Sequence, residues 1–143
     1  MRYATPSPPR HHLIAAAESF AKVDDFADAC YRYYFYGDQI CRAKLSSCLM
    51  KNMAEELKAV PTKYHQAVVD AALEEISYPL KSGERPAFCS KDRSACLGVS
   101  RAQYYRIHAD QAITAIIAYI TNSAEDVANC VRQQLGKKCE FGY

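Results

Sequence analysis

The stretch "KDRSACLGVSRAQYYRIHADQAI", residues 91–113, decides how the chain is read. It sets two short helical patterns on either side of a glycine. Where two short helices meet at a steep angle, the chain needs a small residue at the crossing and a turn residue that tolerates positive φ. Ser94 is the small residue, and Gly98 sits four positions later in the turn. Leu97, Val99, Tyr104 and Ile107 take the inward positions that lock the second helix to the first. Ser100 followed by Gln103 fits the S-x-x-Q capping box, so the start of the second helix is specified twice, by the glycine and by the cap.

With those residues inward, Ser100, Arg101, Ala102, Gln103, Tyr105 and Arg106 face outward near the start of the second helix. Arginine offers a bidentate donor fork to guanine, glutamine pairs with adenine, and a small alanine touches a thymine methyl. Lys91 and Arg93, at the start of the preceding helix, are placed to meet phosphates. From Lys81 to Arg106, the cations Lys81, Arg85, Lys91, Arg93, Arg101 and Arg106 stand against Glu84 and Asp92, a local charge of +4. The expectation is a DNA-reading helix-turn-helix at about 90–113, with double-stranded DNA as partner. The alternative is a helical hairpin whose arginines are merely solvated.

Working outward, residues 1–22 are read as an extended, mobile arm: Pro6, Pro8, Pro9 and the pair His11 and His12 show no apolar period. A first helix is expected from Asp24 or Asp25 to Tyr36, ended by Gly37, with Asp38 at the next N-cap. Cys41, Leu45, Cys48, Leu49, Met53, Leu57 and Val60 recur every three or four residues and predict a second amphipathic helix, ended by Pro61. Tyr64, Val68, Ala72 and Ile76 form a third stripe. Residues 77–88, "SYPLKSGERPAF", read as a loop. After the opening segment come a helix through Ile113, Ile116, Ile117 and Ile120 and a separate last helix after Ser123, terminated by Gly136. Residues 137–143 are left as a tail. With no alternating strand and no internal repeat, the class is all-α, one helical domain over 23–136.

Composition agrees with one unit. The chain has 143 residues, half of them hydrophobic, which is enough for one core and too little for two. A net charge of +2 argues against a protein that coats polyanions wholesale, so a nucleic-acid surface must come from local clustering. No apolar run reaches the roughly 20 residues of a membrane span, and the N-terminal prolines and histidines interrupt any secretion signal. A cytoplasmic location without membrane contact is expected, and with it reduced thiols for the seven cysteines.

Cys41 and Cys48, like Cys89 and Cys96, stand seven apart, a spacing that invites a zinc reading. Seven residues of straight helix rise about 10.5 Å, too far for two thiolates to share one zinc at about 2.3 Å each. No metal and no cofactor is expected. His65 and His108 have no spaced carboxylate or cysteine partner, and the pairs Glu55–Glu56 and Glu74–Glu75 read as solvated helix faces, so no catalytic residues are assigned and the chain is not read as an enzyme. "CYRYYFYGD", residues 30–38, packs five aromatics into the six positions 31–36. Tyr31, Tyr33, Tyr34 and Tyr36 are the candidate partner-binding residues, with core packing as the competing reading.

The "LGVSRAQYYR" turn and recognition helix, preceded by the helix "KYHQAVVDAALEEI", resembles region 4 of bacterial sigma factors. In layout the chain is similar to the lambdoid phage Q-type late antiterminators, over about residues 40–120. That resemblance implies a DNA element near a phage late promoter, loading onto RNA polymerase paused there, and read-through of terminators. Carried over by position, it implies that Ser100, Arg101, Gln103, Tyr105 and Arg106 read DNA while Lys91 and Arg93 hold its backbone. Two readings stay open beside it. One is a plain helix-turn-helix repressor or activator, with a homodimer through the isoleucine-rich helix 111–120 as one form. The other is a protein-interaction or inhibitor module that uses the tyrosine cluster.

Overall fold

The computed structural model describes residues 24–82 and 89–140. The expectations for the arm at 1–22, for residues 83–88 of the loop and for residues 141–143 of the tail fall outside them. The described residues form seven α-helices and no strand. The helices are α1 (Asp25–Tyr36), α2 (Arg42–Asn52), α3 (Ala54–Leu57), α4 (His65–Ser82), α5 (Ser90–Leu97), α6 (Arg101–Arg106) and α7 (Ala109–Glu140), so the all-α class holds. Short 3-10 turns, Gln39–Cys41 and Thr62–Tyr64, precede α2 and α4.

Local chemistry sets the ends of α1. The Asp24 carboxylate accepts from the Ala27 amide at 3.0 Å, which satisfies one of the orphan donors of the first turn. Gly37 then takes the left-handed conformation (φ 65°, ψ 30°), and its amide donates to the Tyr33 carbonyl. Asp38 caps the following turn by accepting from the Ile40 amide. These three assignments agree with the sequence.

The second stripe is buried as expected at Leu45, Leu49, Met53, Leu57 and Val60. One expected helix is instead two, because the backbone bends at Met53 (φ −101°, ψ 23°). Hydrogen bonds from Met53 to Leu49 and from Leu57 to Met53 run on either side of the bend, so the apolar face stays continuous. α4 contributes Val68, Val69, Ala71, Ala72, Leu73 and Ile76 to the same core. It continues through residues assigned to a loop, as far as Ser82. Ser77, the first residue assigned to the loop, is instead buried beside Ile76 on the helix.

α7 carries the largest correction. The two helices expected on either side of Ser123 are one helix of 32 residues that passes through Gly136 into the expected tail, about 48 Å long at 1.5 Å per residue. Its buried stripe runs without interruption through Ala109, Ala112, Ile113, Ile116, Ile120, Ala124, Val127, Ala128 and Val131. The first part of that stripe packs in the main core, and the last part forms a second cluster with Ala27 and Tyr31 of α1. A stripe that keeps its phase across Ser123 leaves the chain no reason to break there. The isoleucines offered for a homodimer are consumed internally: Ile113, Ile116 and Ile120 are fully buried in the chain's own core. Among the described residues, no helix is long and apolar enough to cross a membrane.

Candidate nucleic-acid interface

α5 and α6 are joined by the turn 98–100, and its geometry follows from Gly98. That residue is left-handed (φ 70°, ψ 30°), its amide donates to the Ala95 carbonyl, and the Val99 amide reaches back to Ser94. This pair of bonds is the Schellman arrangement, which glycine adopts without the Cβ penalty. Ser94 is buried, and its hydroxyl donates to the Lys91 carbonyl at 3.0 Å, so the small residue at the crossing is also polar-satisfied. Leu97, Tyr104 and Ile107 are buried and Val99 packs against the core, as the inward assignment required.

The start of α5 is capped by a residue that sequence reasoning passed over. The Asp92 carboxylate accepts from the Cys89 amide at 2.9 Å and from the Cys89 thiol at 3.3 Å. Those bonds, the backbone one first, hold the Asp92 carboxyl below its usual range. Cysteine is not a customary N-cap; the available signal was the acid three positions on. At the start of α6, Ser100 accepts from the Gln103 amide at 3.1 Å. The reciprocal half of the expected capping box is not made, because Gln103 Oε1 accepts instead from Arg106 Nη1 at 3.0 Å. α6 ends after six residues, and His108 (φ 62°) turns the chain into α7.

The structure divides the seven proposed DNA contacts. Lys91, Ser100, Arg101, Tyr105 and Arg106 are exposed, and Gln103 is half-buried. Arg101 and Tyr105 are four apart and share one stripe of α6, as Ala102 and Arg106 share the adjoining one. Tyr105 is 51% exposed and meets the buried Tyr104 ring edge-on at 5.1 Å, which orients it outward. Ser100 is occupied as a cap, so its hydroxyl is a structural element first. Among the described residues, no carboxylate forms a salt bridge with Lys91, Arg101 or Arg106.

Arg93 is the correction. It does not face a groove. Its Nε and Nη2 grip Glu75 of α4 in bidentate fashion at 2.7 and 2.9 Å. Nη1 reaches Thr114 at 3.1 Å and Asp110 at 3.2 Å on α7, and the Tyr104 hydroxyl at 3.5 Å. The planar fork that suits a phosphate suits a carboxylate equally, and a carboxylate is adjacent. Hydrogen bonding to Glu75 holds the guanidinium even more firmly protonated than usual. Tyr104 donates to Asp110 at 2.8 Å, and burial pushes its phenol up to about 12. Glu75 is thus no solvated partner of Glu74; Glu74 alone faces outward, where it pairs with Arg42 at 2.7 Å. With Arg93 neutralised, the cations left on this face among the described residues are Lys91, Arg101 and Arg106, fewer than the count along the chain implied.

The tyrosine cluster is corrected in part. Tyr31 and Tyr33 are buried, and the Tyr33 hydroxyl donates to the Leu73 carbonyl at 2.8 Å, tying α1 to α4. They belong to the core, because alternate turns of α1 face α4 and α7 at once, and cannot form a contact surface. Tyr34 and Tyr36 are half-buried, and the Tyr36 hydroxyl lies 3.2 Å from that of Tyr31. Cys30, Cys41, Cys48, Cys89, Cys96 and Cys130 are free thiols, with burial pushing Cys30, Cys41 and Cys96 up. No group of three or more His, Cys, Asp or Glu among the described residues is arranged to hold a metal ion. No protein-family model, curated protein or solved structure matches the chain.

Proposed function

We propose that this chain is a DNA-binding transcription regulator that lays α6 in the major groove, a binding protein rather than a catalyst. Arg101, Ala102, Tyr105 and Arg106 face base edges in this reading, Lys91 meets a phosphate, and Gln103 steadies Arg106 or exchanges that contact for an adenine. The observation that carries it is the exposed face formed by the adjoining stripes of Arg101, Tyr105 and Arg106 beside Lys91, unopposed by any ion-paired carboxylate among the described residues, on a short helix locked by a Schellman turn and a serine cap. The likeness to Q-type antiterminators extends the proposal to RNA polymerase as second partner and to terminator read-through as outcome.

The test is binding of the purified chain to duplex DNA from around its neighbouring promoter, over a salt series. Each neutralised phosphate contributes about 0.9 to the slope of log affinity against log salt, so the phosphate contact assigned to Lys91 accounts for about one unit of that slope. Arg101→Ala should cost about 1–3 kcal/mol of binding and relax selectivity at one base pair, whereas Lys91→Ala should weaken all sequences alike and lower the slope by about 1. Equal binding of all sequences by the wild type and by Arg101→Ala sinks the base-reading role. A terminator read-through assay with paused polymerase then separates antitermination from simple repression or activation.

One observation favours a second reading, a protein-interaction module: Ile40 is 90% exposed in the turn between α1 and α2. Under it, Ile40→Ser abolishes function while the DNA-face variants leave function intact.

A further inference from the structure

The polar cluster at Arg93 joins four helices: α4 through Glu75, α5 through Arg93 itself, α6 through Tyr104, and α7 through Asp110 and Thr114. It lies behind the face that carries Arg101 and Tyr105. α6 has six residues, and helices shorter than about 12 residues have little stability of their own, so its position comes from what it is tied to. Those ties are the buried Tyr104, whose hydroxyl binds Asp110, and the Arg93 fork that anchors the preceding helix to Glu75. The Arg93 side chain is 14% exposed and Glu75 18%, so both are partly withdrawn from water, where a bidentate pair is most directional.

We infer that Arg93 is a positioning residue for the proposed DNA-reading helix: the clasp it forms with Glu75, Tyr104, Asp110 and Thr114 sets the pose in which α6 presents Arg101 and Tyr105. This rests on the reading of α6 given above. It separates cleanly from the role of a phosphate contact, because the two assign opposite signs to the loss of Glu75. Removing a carboxylate near a polyanion site and freeing an arginine beside it strengthens DNA binding on charge grounds alone. If the clasp positions α6, the same change weakens it.

The experiment measures binding of the full chain to the duplex that the wild type selects, across a salt series, for Glu75→Gln and Arg93→Lys, with amide hydrogen exchange read along the whole of the free proteins. Lysine keeps the charge and loses the fork. The expected result is about tenfold weaker binding for each variant at an unchanged salt slope, with faster exchange confined to α6 and its flanking turns. Binding by Glu75→Gln as tight as or tighter than wild type overturns the positioning role while leaving the DNA reading intact. Wild-type protein that selects no duplex overturns the reading itself, and the inference with it. Should either variant fail to fold, Thr114→Val removes one neutral contact from the clasp: a several-fold loss at constant slope supports the inference, and unchanged affinity overturns it.

Discussion

Gly98 shows how one residue's backbone sets the candidate site. It is left-handed, and a Cβ placed on it would meet open space, so the cost of a side chain is purely conformational. Gly98→Ala should therefore destabilise the protein by about 1–2 kcal/mol, with Gly98→Asn losing less, as read by urea denaturation. A loss above about 4 kcal/mol would mean that the turn is held by packing rather than by φ. Tyr104 supplies a second test at this scale. Burial favours its neutral phenol, so its folded pKa, about 12, lies above the ordinary 10.0. The stability it contributes is complete below pH 10 and is lost as pH rises from there through about 12. Tyr104→Phe should flatten that alkaline fall in stability. An unaltered alkaline limb in the variant would assign the fall to other groups.

Among the elements, α7 is where the chain's local cues and its packing part company. Ser123 and Gly136 are residues at which a helix can stop, and the segment between Ile120 and Ala124 contains Thr121, Asn122 and Ser123, all poor helix formers. The helix runs on because Ile120, Ala124 and Val127 continue one buried stripe, and burial of such side chains outweighs propensity differences of a few tenths of a kcal/mol per residue. Ser123→Pro should cost about 3 kcal/mol or more, since it removes an internal hydrogen bond and clashes with the carbonyl four residues back. A loop at this position would absorb proline at little cost, so thermal denaturation of this variant discriminates the continuous helix from a broken one. At α2 and α3 the same logic runs the other way: the backbone bends at Met53, yet the stripe from Leu45 to Val60 holds its phase, so the core is indifferent to the break.

Across the whole molecule, one core unites α1, α4 and α7, and it decides which apolar residues remain for partners. Ile113, Ile116 and Ile120 go to that core, so Ile116→Ala should lower stability by about 2–5 kcal/mol without changing the oligomeric state seen by sedimentation. A shift in sedimentation at unchanged stability would instead place Ile116 at an interface between copies. The proposed DNA face sits at the α5–α6 end with three unpaired cations among its described residues, which is a modest electrostatic footprint. The proposed reading therefore assigns discrimination between sequences to Arg101 and Tyr105 more than to bulk charge, and the salt series tests that division.

By itself the sequence determined the all-α class, the ends of α1, the turn at Gly98, the Ser100 cap, and the inward and outward faces of α6. All of these depend on residues within a few positions of one another, where φ requirements, caps and the 3.6-residue period act. Only the tertiary structure decided that Arg93 turns inward, that Tyr31 and Tyr33 are core, and that α7 does not break. Glu75, Arg93 and Asp110 lie more than a dozen positions apart along the chain, and an arginine's fork accepts a carboxylate or a phosphate alike. Which one it finds depends on the packing of α4 and α7 beside α5, and no local period encodes that.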